Sequence, residues 1–176
     1  MSLLLDAPPL VCGALGVVEA LEALPVGELS LVELSAALRA VAGVRGRLDA
    51  LEVRCLAAFE RGGGPVAEGA TNASAWLAAA SKSSARDAHR VVKRAAVIDA
   101  LPALGDALAA GAVSAAHVDV LASVLPAGLW AQAGGLVDVA VLVSPEELRL
   151  RAQRFVADRD GDRGRRVMSG SKPGSR

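Results

Sequence analysis

The chain has 176 residues, within the usual range of one domain. Hydrophobic residues make up 53% of it but aromatics only 2%, so its apolar content is Ala, Leu and Val, which disfavours an aromatic-rich β-sandwich or a base-stacking single-strand binder. Charged residues at 22% balance to a formal net charge of 0, and this composition has enough apolar surface to order most of the chain.

The balance hides a pattern. Residues 1–81 hold five basic and nine acidic residues, whereas Lys82, Arg86, Arg90, Lys93 and Arg94 face Asp87 alone within 82–94. Residues 95–148 then carry six acids and no Lys or Arg, and 149–176 carry nine basic against three acidic residues. Two cationic islands in acidic surroundings argue against indiscriminate coating of nucleic acid but provide local binding footprints.

At the amino end Met1 to Leu5 is apolar without a basic flank, and Asp6, Pro8 and Pro9 cut it short before a signal-peptide core develops. The most apolar stretch, Val120 to Val137, is interrupted by Pro126, Gly128, Gln132, Gly134 and Gly135, so no membrane span is expected and the location reads as cytoplasmic. Cys12 and Cys55 stand far apart and read as buried free thiols.

Helix punctuation then runs along the chain. Ser30 and Glu33 form a capping-box pattern ahead of Leu31, Leu34 and Leu38. Gly43 and Gly46 soften the middle, after which Leu48, Leu51, Cys55, Leu56 and Phe59 continue an apolar stripe, as one long helix or two. Gly62 to Gly64 and Pro65 end it, and the stretch to Gly69 reads as an exposed loop. Thr71 or Asn72 caps a short helix through Trp76 and Leu77, and Ser81, Ser83 and Ser84 supply a turn and a new cap. The next helix sets Ala88, Val91, Val92, Ala95 and Ile98 on one side. Lys82, Arg86, Arg90 and Lys93 fall in a narrow arc on the other, with Arg94 at its edge. This is a helix-turn-helix-like arrangement.

Pro102 opens a short helix ending at Gly111, Ser114 caps one carrying Val118, Leu121 and Leu125, and Leu129 to Val143 is expected to be buried on most sides. Ser144-Pro145-Glu146-Glu147 is a strong helix opening, with Leu148, Ala152 and Phe155 as its buried side. Trp76 and Trp130 read as core anchors. The expectation is an all-α multi-helix bundle of about seven or eight helices over residues 1–159, with a flexible basic tail over 160–176.

Several motifs together resemble the 13E12 repeat family: Gly69-Ala-Thr-Asn-Ala-Ser-Ala-Trp76-Leu77, Ser84-Ala-Arg-Asp-Ala-His89-Arg90, Leu101-Pro102, Ala107-Leu108, Gly111-Ala-Val-Ser114-Ala-Ala-His117 and Ser144-Pro-Glu-Glu-Leu-Arg149. The resemblance runs from about Leu48 to Asp162. It implies an actinobacterial domain of unknown function that typically precedes an HNH endonuclease module, whose paired histidines bind a divalent metal. Here the only histidines are His89 and His117, and neither lies in a His-Asn-His context, so nuclease chemistry is not carried over.

The resemblance and the charge pattern together lead to an expectation of a non-catalytic accessory domain that assists DNA binding through Lys82, Arg86, Arg90, Lys93 and Arg94. The plainer account of these cations is a solvated helix face. His89 lies beside the arc, His117 is expected to bond locally near a helix start, and Ser114, His117 and Asp119 diverge too much for a triad. Asp158, Asp160 and Asp162 begin like a calcium loop, but Arg163 and Ser169 stand where glycine and a bidentate Glu are required. No cofactor, metal, membrane or small-molecule substrate is expected. The alternatives are a helical scaffold for protein contacts or self-association through Leu31 to Phe59, or a truncated gene copy.

Overall fold

The computed structural model describes residues 16, 18–20 and 22–170. The amino-terminal run to Pro9, Cys12 and the tail residues Lys172 and Arg176 lie outside them. Among the described residues the chain is all helical, with eight α-helices, two 3-10 turns and no strand. After the 3-10 turn Val26–Glu28, the α-helices are α1 (Leu31–Arg61), α2 (Gly64–Ala67), α3 (Ala73–Ser81), α4 (Ala85–Ala100), α5 (Pro102–Ala109) and α6 (Ala115–Val124). The second 3-10 turn, Ala127–Gln132, leads to α7 (Gly134–Ala140) and α8 (Pro145–Gly170). No helix is long and apolar enough to cross a membrane, among the described residues.

The chain divides into two compact units, Met1–Val41 and Ala42–Arg176. In the first, the capping box forms as its spacing predicts. The Ser30 backbone N–H and hydroxyl both donate to Glu33 Oε2, at 2.8 and 2.6 Å. Leu31, Val32 and Leu38 are exposed there.

The second unit has two hydrophobic clusters with α4 as their shared wall. Ala88 and Ala95 on α4 pack with Val53, Leu56, Ala73 and Leu77, with Trp76, Val91 and Val92 at the margin. Val97 on the same helix joins Leu104, Leu108, Val118, Leu121, Leu136, Val137, Leu148 and Ala152. A 16-residue helix covered on two sides can present only what remains of its circumference to solvent.

Of the one long helix or two left open around Gly43 and Gly46, the chain forms one, α1 of 31 residues. Several expectations change. The buried residues of α1 are Gly46, Ala50, Val53 and Leu56, not the larger stripe of Leu48, Leu51 and Cys55, which is exposed. The anticipated loop to Gly69 contains the short helix α2, because Pro65 in its first turn has the fixed φ that a helix start needs. Asn72, not Thr71, caps α3, with its Oδ1 accepting from the Ala75 N–H at 2.9 Å.

The segment Leu129 to Val143 buries one face only. Leu129, Ala133, Leu136, Val137 and Ala140 turn inward, while Val141 and Leu142 are exposed. The chain expected to loosen at residue 160 remains helical to Gly170, since extending an existing helix costs far less than starting one and no proline intervenes before Pro173. Cys55 is exposed, which corrects its reading as a buried thiol.

Candidate nucleic-acid interface

The turn between α3 and α4 is built by local hydrogen bonds. Lys82 closes α3 in the left-handed conformation at φ 51°, and its N–H donates to the Ala78 carbonyl. The Ser81 hydroxyl donates to the Leu77 carbonyl at 2.7 Å. Ser84 then starts α4, its Oγ accepting from the Asp87 N–H at 3.1 Å and donating to Asp87 Oδ2 at 2.7 Å. Two helices packed together across a three-residue turn match the spacing that sequence reading finds.

The five expected cations do not share one environment. Lys82, Arg86 and Arg90 are exposed and Lys93 is half-buried. Arg90 contacts Asp87 at 3.0 Å, with both side chains about half exposed, a surface pair of little energetic weight. Lys82, Arg86 and Lys93 make no ion pair among the described residues. At 100° per residue Arg86, Arg90 and Lys93 occupy an arc of about 60° on α4, and Lys82 stands ahead of them in the turn.

Arg94 is removed from the set. It is buried, with 7% of its surface exposed, and forms two parallel bonds to Asp119 of α6: Nε to Oδ1 at 3.0 Å and a terminal nitrogen to Oδ2 at 2.9 Å. Next to it on the helix surface, Val97 is fully buried. The cationic arc of α4 therefore ends after Lys93, where α6 covers that side of the helix. A signal for this was present in the sequence, because Val97 falls inside the cationic arc and an aliphatic side chain there marks the start of a covered surface. Nothing in the sequence pointed to Asp119, 25 residues away, as the partner.

His89 is exposed beside the arc. His117 sits at the start of α6, where Nδ1 accepts from the Ser114 N–H at 3.1 Å and Nε2 donates to the Val143 carbonyl at 2.9 Å. The ring thus ties the start of α6 to the segment before α8. Ser114 and His117 form one capping contact, with Ser114 Oγ 2.9 Å from His117 Nδ1, while His117 Nε2 is taken by Val143 and Asp119 by Arg94, so the three do not line up as a triad. Among the described residues no three His, Cys, Asp or Glu side chains cluster to hold a metal ion.

A groove of about 540 Å³ lies between α1 and the α4–α5 pair, with Leu51, Cys55 and Ala58 on one side and Ile98, Pro102 and Gly105 on the other. Arg61 and Asp99, paired at 2.8 Å, also line it.

Residues 35–169 match the family described as Domain of unknown function (DUF222). The chain belongs to that family. No curated protein and no solved structure matches it. The DUF222 match includes α3, the turn and α4, together with the helices that bury the inner sides of α4.

Proposed function

We propose that this DUF222 domain is a non-catalytic module that holds DNA through the α3–α4 turn and the first half of α4, with Lys82, Arg86, Arg90 and Lys93 contacting phosphates. The observation that carries this reading is the cationic row of exposed Lys82 in the turn and exposed Arg86 and Arg90 with half-buried Lys93 on α4, a helix whose other sides are fixed in the core. A rigidly seated helix places its cations without further ordering cost. Phosphates along a duplex groove suit such a row, and in helix-turn-helix proteins the amino-terminal residues of the second helix are those that enter the groove. Arg94 is not part of the contact, because its guanidinium is already paired within the fold.

The resemblance noted in the sequence extends the proposal. The module serves an HNH-type endonuclease, supplying DNA affinity while the nuclease part supplies the metal and the chemistry. Phosphate contacts of this kind are blind to sequence, so affinity is expected to depend steeply on salt and weakly on base composition.

The test is a salt titration of labelled duplex DNA with the wild type and with an Arg86→Ala, Arg90→Ala, Lys93→Ala triple variant. Loss of three phosphate contacts lowers the slope of log K against log salt by about 2–3. Absence of binding at about 50 mM salt, or equal slopes for the two proteins, overturns the reading.

A further inference from the structure

The outer side of α1 in the second unit is apolar and uncovered. Val44, Leu48, Leu51, Cys55 and Ala58 follow one another at steps of four, three, four and three residues, the alternation of a coiled-coil seam. In the sequence the same alternation runs back through Val41, Ala37 and Leu34. Leu48 is 46% exposed and Leu51 is 51% exposed, Cys55 and Ala58 are exposed, and Val44 is half-buried. Gly46, Ala50, Val53 and Leu56, which face the core, lie on the opposite side of the helix. Three of the seam residues, Leu51, Cys55 and Ala58, also edge the groove toward α4 and α5, so a helix seated on the seam lies along the open mouth of that groove.

We propose that the seam is occupied by α1 of a second copy of this chain, running parallel and in register. The charges beside the seam select this occupant and this direction. In a parallel pair, flanking residues five apart face each other across the two helices, which places Arg47 against Glu52 of the second copy, twice by symmetry. Both side chains are exposed and make no ion pair among the described residues. The next flanking pair sets Arg54 beside Phe59 of the second copy, an arrangement without repulsion. An antiparallel pair centred between residues 49 and 50 sets Arg47 against Arg54 of the second copy, so its Arg45 to Glu52 contacts are offset by like charges. The parallel register stacks Cys55 on Cys55 of the second copy. The antiparallel one separates them by about 16 Å along the axis.

The full chain is tested by sedimentation equilibrium over a wide concentration range, in a Cys12→Ser background. A reversible dimer is expected, and a monomer at every concentration overturns the proposal. The variant Leu48→Glu, Leu51→Glu, confirmed as folded by circular dichroism, is expected to be monomeric; dimerisation unchanged from the wild type overturns the seam. Arg47→Glu is expected to weaken the dimer about tenfold, and adding Glu52→Arg to restore it. Failure of restoration overturns the parallel charge pairing. A short bis-maleimide is expected to link Cys55 to Cys55 in the dimer, and a dimer that gives no such product overturns the register.

Discussion

The guanidinium of Arg94 and the carboxylate of Asp119 meet in two parallel hydrogen bonds, with the arginine side chain 9% and the aspartate side chain 25% exposed. This pair joins α4 to α6 at the point where the cationic face of α4 ends. A guanidinium withdrawn from water is tolerated only because both bonds are satisfied.

Removing Asp119 leaves the Arg94 charge without a partner. Asp119→Ala is expected to cost about 3 kcal/mol, a fall in melting temperature of about 6–12 °C. Replacing both residues, as Arg94→Met with Asp119→Leu, is expected to cost less than Asp119→Ala alone, because no uncompensated charge remains. Thermal melts of the three proteins check this, and a double variant less stable than the single one contradicts it.

Gly64 lies against Phe59, whose ring packs on Trp76 with centroids 4.4 Å apart. A Cβ at Gly64 would overlap the Phe59 ring. Gly64→Ala is therefore expected to displace the ring from Trp76, with a loss of about 1–3 kcal/mol and altered tryptophan fluorescence. A control with Gly43→Ala, where a Cβ meets nothing within 4 Å, is expected to be neutral or slightly stabilising.

His117 accepts from Ser114 and donates to Val143, so its loss frees a helix start and a buried-side carbonyl together. His117→Ala is expected to destabilise the fold by about 1–2 kcal/mol. Hydrogen exchange locates the effect: the amides at the start of α6 are expected to lose protection before those of α4.

Two glutamates at helix starts make stability depend on acid. The Ser30 hydroxyl and backbone N–H hold the Glu33 carboxyl below the usual range. The Glu146 backbone N–H, then Ser144, do the same for Glu146. A carboxylate with a lowered pKa in the fold stabilises it above the unfolded pKa, and that contribution is lost as pH falls through the folded value. Glu33→Gln and Glu146→Gln are each expected to melt below the wild type at neutral pH. The curves are expected to converge with it as acid protonates the native carboxyls. A gap that is constant with pH would count against these contacts.

Much of the helix plan was readable because its signals are local. The Ser30–Glu33 box, the Ser84 cap, Pro102 and the Ser144-Pro145 opening each depend on atoms a few residues apart, and each stands where its spacing places it. Apolar side chains were readable as helical but not as inward or outward. On α1 the small residues Gly46 and Ala50 face the core, and Leu48 and Leu51 face out, since close approach to the rest of the unit favours small side chains. The cationic arc was readable as an arc. Its length was not, because α6 reaches it from another part of the chain.

Helical class, the caps, the order of the helices and the row of cations on α4 were determined by the sequence itself, because hydrogen bonds within a few residues and a 3.6-residue period specify them. Tertiary structure decided which cations stay in water, which leucines remain uncovered, and that Arg94 belongs to Asp119. These depend on contacts between segments tens of residues apart, and the energy of burying a side chain is set by what packs against it.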